Sequence, residues 1–376
     1  MNWARSIIST LILYSICNIS YGQLKKLESQ LDRVDSMLVT KKNESAVLPG
    51  PVYNPSLGAG IAILPISVYH LKGQSADTKP SSTQGILFAS LNRSYAIGVK
   101  QSIFLNSNKY WLEGTLNYAS LRLEYYGIGQ HLSINEPAWV RMYGITTDLS
   151  LQTKINGKLY GGITFNFKSL ELNGEEESTN NWLEADGFST KRENIVMSGL
   201  KLSYDSRNHL FTPTSGLLSS MFYSNSNNLI GSELNYVLFG FTCSNYININ
   251  KSNPNTLAWQ LYFRGSSGEV PLYDYSTPGK SKVLRGYISG KHLDKSILTI
   301  QSEYRFNIYK NWGAVVFAGA GKVFPDIAEF DKKSWLPSIG TGIRYRLLKT
   351  QNVNARLDLA FGKSDFNVYF GISEVF

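Results

Sequence analysis

The 376-residue chain is poor in cysteine, with two, and in histidine, with four. So few cysteines exclude a small disulfide-stapled scaffold; loss of Cys17 with a leader would leave Cys243 alone and no internal bridge. Charged residues make up only 17% while aromatics reach 13%, which excludes a disordered chain. Lysine and arginine outnumber the acids 37 to 28 but are scattered, without the runs or basic helix of a nucleic-acid binder, so no nucleic acid is expected as a partner. Past the N-terminus there is no uninterrupted run of ~18 apolar residues, which excludes a bundle of transmembrane helices. Two classes remain: a soluble β-rich protein and a transmembrane β-barrel, whose signal is weak in each segment.

The N-terminus reads as a secretory signal peptide over residues 1–22. Arg5 precedes the short apolar stretch Ile7 to Ile16, and small Ser20 and Gly22 suit cleavage before Gln23. Next, Leu24, Leu27, Leu31, Val34 and Leu38 recur at helical spacing. This amphipathic helix is too short to be stable alone, so it is expected to dock on the barrel or on a second copy of itself. Lys41 to Pro55, with Pro49, Gly50, Pro51 and Pro55, reads as a linker. The expected division is a periplasmic helix and linker over 23–50 and a barrel over 51–376.

From residue 57 the pattern is strand, turn, strand. Leu298, Ile300, Tyr304 and Phe306 share one face, against Thr299, Gln301, Glu303, Arg305 and Asn307 on the other. Ile339, Thr341, Ile343, Tyr345 and Leu347 oppose Ser338, Gly340, Gly342, Arg344 and Arg346 in the same way. Alternation alone also fits a sandwich, but strands uninterrupted by helices over roughly 300 residues far exceed one sandwich domain of about 100. Fifteen strand-like segments are legible, from 57–70 to 366–376. A barrel with both ends periplasmic needs an even number, so the fold is expected to be an all-β, antiparallel, transmembrane barrel of 16 strands. The sixteenth is expected near 44–56 or 125–136. Long connections at Asn173 to Asn194 and Ser267 to Ser296 contrast with short turns such as Asn106 to Lys109.

Within this pattern, Val283-Leu284-Arg285-Gly286-Tyr287 resembles the Arg-Gly-aromatic motif of the BamA/TamA outer-membrane superfamily, the bacterial surface antigen family. Gly268 to Tyr273 resembles the approach to that motif. Tyr204 to Arg207 with Phe211 to Gly216 resembles the family's strand end and periplasmic turn, and Tyr126 to Gly129 and terminal Phe376 also fit. The resemblance implies a bacterial outer-membrane barrel whose sixth extracellular loop folds inward. Arg285, Gly286 and Tyr287 would then lock the loop to the wall through Glu303. The family's second acid, in a Phe-x-Asp-x-Gly pattern, is replaced by Gly319 in Phe317-Ala318-Gly319-Ala320-Gly321, leaving Glu303 as sole partner or Asp358 as a recruit. Pro278-Gly279 stands where the family often has a Gly-Gly pair. Family members that insert barrels or secrete proteins carry periplasmic POTRA domains; Gln23 to Gly50 is too short for one, so a barrel-only branch is expected.

The resemblance implies a role in outer-membrane protein or lipid assembly or translocation, through a weak seam between first and last strands. Gly58, Gly60, Gly371 and Phe376 are the candidate seam residues, since glycine loosens a strand. Outer-membrane lipid, and the barrel-assembly machinery for its own insertion, are the expected partners. The alternative is a small or gated passive channel, with Lys201, Arg305, Arg344, Arg346 and Arg356 making a basic lumen. Catalysis is not expected: His70, His131, His209 and His292 lack metal-ligand spacing, and His292-Leu293-Asp294 near Ser296 does not make a triad by sequence proximity. Glu175, Glu177 and Asp186 lack the ligand spacing of a calcium loop. No cofactor or metal is expected.

Overall fold

Alternating side chains can bury one face and leave the other greasy only if that second face meets hydrocarbon, and the strands arrange themselves accordingly. The computed structural model describes residues 43–54, 57–75, 77–129, 136–249 and 255–376. The signal segment, the stripe Leu24 to Leu38 and His131 lie outside the described residues.

Sixteen antiparallel strands follow one another in chain order around a single sheet. They are β1 (Glu44–Asn54), β2 (Gly58–Tyr69), β3 (Ser81–Ser90), β4 (Tyr95–Leu105), β5 (Tyr110–Tyr125), β6 (Ala138–Asn156), β7 (Leu159–Gly174) and β8 (Glu193–Asp205). The second half comprises β9 (Gly216–Ser226), β10 (Tyr236–Asn248), β11 (Thr256–Gly268), β12 (Ser296–Tyr309), β13 (Trp312–Phe324), β14 (Leu336–Leu348), β15 (Val353–Gly362) and β16 (Asp365–Ile372). The expected number of strands is met.

Ile61, Ile163, Leu200 and Ile339 on the outer face are between 59% and 66% exposed. Gln152, Gln301, Glu303 and Asp358 on the inner face are at most 2% exposed. That inversion, apolar out and polar in, is stable only with lipid around the wall, and the ladders between consecutive strands supply the backbone partners that lipid cannot. Aromatic side chains such as Tyr53, Tyr95, Tyr110, Tyr309, Trp312 and Phe366 stand exposed near strand ends, where the membrane interfaces lie. Several turns on the side of the chain ends are tight, as between β4 and β5, where Asn106, Ser107 and Asn108 all have positive φ. Long connections gather on the other side.

Two of those long loops cap the barrel. The acidic stretch after β7, read from sequence only as a long connection, holds helix α1 (Glu177–Ala185). Its Leu183 packs with Tyr125, Val140, Leu172, Phe188 and Leu293, the last from the loop between β11 and β12. Gly129, in the loop between β5 and β6, pairs with Leu293 through the backbone and ties a third loop to the cap.

Two expectations are corrected. The segment taken for a linker is the first strand: the barrel begins at Glu44 rather than at residue 51, and the missing strand lies at 44–54, not 125–136. Its prolines suggest a break, but proline is tolerated in an edge strand, where no neighbour asks for the missing N–H. At the other end, β16 stops at Ile372 instead of running to Phe376. Ser373 turns the chain with a φ of 67°, and Glu374 and Val375 are buried.

Candidate functional site

The loop from Glu269 to Lys295, between β11 and β12, enters the lumen. Leu284, Arg285 and Tyr287 on it are completely buried. Gly286, at φ 92°, allows the backbone to press against the β15–β16 turn, where any Cβ would meet the main chain of Phe361 and Gly362. Its N–H donates to the Tyr369 hydroxyl at 3.0 Å. Tyr287 donates its hydroxyl to Pro337 O at 2.5 Å and accepts from Lys363 N at 3.1 Å. The Asn367 amide donates to Tyr287 O at 2.5 Å, and Lys291 pairs with Asp365 at 2.5 Å. Thr299 and Gln301 of β12 both donate to Val283 O.

Arg285 sits where these bonds converge. One guanidinium nitrogen lies 2.6 Å from Glu303 Oε1 and the other donates to Asp358 Oδ2 at 3.2 Å. The Glu303 contact is close but poorly aligned, an ion pair rather than a hydrogen bond. The guanidinium also stacks on the Phe317 ring, 3.5 Å from its centroid. The carboxylates are shared further. Glu303 accepts from Arg305 at 2.8 Å, and Asp358 accepts from Arg344 at 2.5 Å and Arg356 at 2.9 Å. Glu374, from the inturned C-terminal segment, accepts from Arg344 at 2.7 Å. The result is a buried chain of four arginines and three carboxylates that welds loop, wall and C-terminal segment. Removing one member would leave charges buried and unpaired, a loss of about 3–5 kcal/mol.

The missing acid on β13 has a structural counterpart. Leu284 Cδ1 occupies the space beside Gly319, 3.1 Å from where a Cβ would stand. The second carboxylate reaches Arg285 from β15 instead, through Asp358. Arginines expected to line an open basic lumen are thus largely neutralised, and Lys201 likewise pairs with Glu113 at 2.6 Å. His292 packs edge-on against Tyr287, and Asp294 exchanges backbone bonds with Ser276. Both serve the loop's shape.

A second anchor holds the start of the loop. Asp274 accepts from Lys168 at 2.5 Å, from Arg264 at 3.1 Å and from the Tyr236 hydroxyl at 2.6 Å. Burial by itself would push its carboxyl up, but the two cations outweigh that and hold it at about 2.

The seam is the other feature. Among the described residues no backbone ladder joins β1 to β16. The β2–β3 register runs to Ile63–Leu87, skips Leu64 and Pro65 and resumes at Ile66–Gln84, as the missing Pro65 N–H requires. Pro65 therefore directs its missing donor toward β3, and its β1 partner Val47 points its N–H away from β2. Pro49 and Pro51 are in the same phase as Val47, so the free edge of β1 lacks two donors where β16 would need them. Side chains close the gap instead. Phe370 shares the outer face of β16 with Phe366 and Val368, yet its ring fills the space where a Gly50 Cβ would project inward. The outer face of β16 thus overlaps the inner face of β1. Below it, Glu44 accepts from the backbone N–H groups of Thr350 and Gln351 in the β14–β15 turn.

Of the sequence candidates for the seam, Gly371 lies on β16, under the Arg356 guanidinium. Gly58 and Gly60 are on β2, one strand removed; they were misplaced because β1 was read as linker. Phe376 lies beyond β16, where its main-chain oxygen accepts from Arg305 at 2.9 Å. Gly50 and the two prolines were missed, although their even spacing was visible.

The Omp85 superfamily domain matches residues 83–376, from β3 to the end of the chain. BamA from Haemophilus ducreyi lacking POTRA domains 1–3 superimposes with a TM-score of 0.55 at 14% identity, covering 89% of this chain and 70% of that one. CdiB from Acinetobacter baumannii superimposes with a TM-score of 0.53 at 13% identity, covering 88% of this chain and 59% of that one. At such identities the likeness is one of fold. No curated protein matches the sequence.

Proposed function

The chain belongs to the Omp85 superfamily and is a bacterial outer-membrane β-barrel, and from that premise we propose that it assembles or translocates protein or lipid by parting β1 from β16. The observation that carries this reading is the unpaired seam. A continuous ladder between two strands of this length would hold them with many bonds of about 1 kcal/mol each. Here two prolines remove donors from one edge, and an aromatic ring on glycine takes the place of hydrogen bonds. Such a contact can separate without exposing a full set of unpaired backbone groups to lipid, whose cost would otherwise forbid opening. An edge released in this way is a template for an incoming strand, and a gap in the wall gives headgroups a polar path past the hydrocarbon.

The test uses liposomes containing the purified protein and a second, unfolded barrel protein, with lipid flip measured in parallel. The proposal expects faster insertion of the second barrel or faster exchange of lipid between leaflets. Both should be suppressed when cysteines placed at Gly50 and Phe370, in a Cys243→Ser background, are joined by a short bis-maleimide. Liposomes indifferent to the protein in both assays would rule the proposal out.

A further inference from the structure

Behind the seam lies a cavity of about 260 Å³, bounded by β2 to β5 on one side and β15 and β16 on the other. At about 30 Å³ per water molecule it has room for a small molecule rather than one solvent. Its lining is mixed. Leu64, Ile86 and the Phe370 ring are apolar, Gln84 and Asn117 are polar, and Lys100 and Arg356 carry charge.

The charges are not balanced. Arg356 is 9% exposed and gives one terminal nitrogen to Asp358 and the other to Ser281 Oγ at 3.2 Å, while its buried Nε has no hydrogen-bond partner among the described residues. The bond to Ser281 brings the next loop residue, Lys282, to the same wall. Nearby carboxylates are engaged elsewhere: Asp358 with three arginines, Glu113 with Lys201. Among the described residues, neither Lys100 nor Lys282 has an acidic side chain within ion-pair distance. Both reach solvent, yet only the water enclosed by the barrel. Lys100 is the strongest influence on Lys282, and with burial it lowers the Lys282 ammonium to about 7. Lys100 of β4 and Arg356 of β15 thus line the cavity, and Lys282 on the inturned loop lies within electrostatic range of both.

We propose that this cavity binds a phosphate group, held by Lys100, Lys282 and the free Nε of Arg356, with whatever carries it lying against Leu64, Ile86 and Phe370. Three cations call for more negative charge than a single carboxylate brings, and a tetrahedral anion offers oxygens to all three. The apolar side of the cavity suits an acyl-bearing carrier, and the seam is its nearest opening. The inference does not depend on the seam moving: a shut barrel with an occupied cavity would satisfy it.

The full chain, folded in a neutral detergent, is titrated by calorimetry with dihexanoyl phosphatidic acid, with inorganic phosphate and with dihexanoylglycerol. Phosphatidic acid should bind saturably at one site, and dihexanoylglycerol should give no binding. Lys100→Gln and Lys282→Gln should each weaken the phosphatidic acid at least fivefold. Inorganic phosphate binding as tightly as phosphatidic acid identifies a free anion as the source; much weaker binding identifies a lipid headgroup. Either supports the site. Equal binding of dihexanoylglycerol, or unchanged affinity in both variants, overturns it. Folding is checked by the gel mobility of unheated protein; should Lys100→Gln fail to fold, Lys282→Gln, on the loop, decides alone.

Discussion

At the scale of single residues, Arg285 is the member of the buried network whose loss should be felt most. It touches two carboxylates and an aromatic ring with no exposure to solvent. Arg285→Ala should cost about 3–5 kcal/mol of loop anchorage, because Glu303 and Asp358 would keep one fewer counter-charge in a dry site. Hydrogen exchange over 269–295 reads this directly; protection unchanged from wild type would contradict the geometry. A second expectation concerns Gly319. Placing an acid there by Gly319→Asp should destabilise the barrel, since a Cβ would meet Ile300 O at 2.8 Å, Gln301 Cγ at 3.0 Å and Leu284 Cδ1 at 3.1 Å, and Leu284→Ala in the same chain should relieve only the last part of the loss. Urea unfolding of the three variants measures it, and additive losses would refute the steric account. Glu303 and Arg285 were legible in the sequence because alternation along β12 placed one inward and the family motif identified the other. Glu374 was not legible. Its place depends on the turn at Ser373, a left-handed residue that composition does not announce.

At the scale of elements, period two exposed β12 and β14 with their faces correctly assigned, because a wall between lipid and a polar lumen enforces the pattern. The same logic failed at β1. Pro49, Gly50 and Pro51 carry turn chemistry, and only the neighbouring strand shows that they are an edge rather than a break. Helix α1 was hidden for a different reason: its nine residues include Thr179, Asn180 and Asn181, weak helix formers that obscure a 3.6-residue period. Replacing both prolines by valine supplies two backbone donors to the free edge. Pro49→Val with Pro51→Val should stabilise the seam by about 1–2 kcal/mol if β16 accepts both bonds. Thermal denaturation in detergent and the liposome insertion assay test this together. A higher melting temperature with slower insertion is the expected pair of outcomes; insertion unaffected by a stiffer seam would count against opening at β1.

At the scale of the whole molecule, the lumen is an electrostatic structure and should respond to acid. Asp274 has its ordinary value of 3.8 lowered to about 2 by Lys168 and Arg264. A depressed carboxyl contributes stability that is complete above about pH 4 and disappears as pH falls through 2. Cleavage of the 269–295 loop by an acid-active protease should therefore rise steeply between pH 4 and pH 2, beyond the change in the enzyme's own rate. Lys168→Met, which removes one of the cations, should shift that rise to higher pH. A profile identical in the two proteins would show that Asp274 does not tie the loop down. Sequence alone conveyed the barrel, its strand number and the inward loop, all consequences of local alternation or of a family motif. It could not convey how distant loops knit above the lumen, since Leu183 and Leu293 meet only after the chain has travelled most of the way round.

The inturned loop grips β16 from within: Tyr369 accepts from Gly286, Asn367 donates to Tyr287 O, and Asp365 holds Lys291. All three fastenings are on the strand whose other margin is free. Outward travel of β16 alone would have to undo them, whereas departure of β1 would leave them intact. Departure of β1 instead breaks the two bonds that Glu44 accepts from Thr350 and Gln351; at roughly 0.5–1.5 kcal/mol in each, three against two, the first excursion should be rarer than the second by on the order of two- to tenfold. Under the proposed opening, the wall would part asymmetrically, with the N-terminal strand as the door leaf.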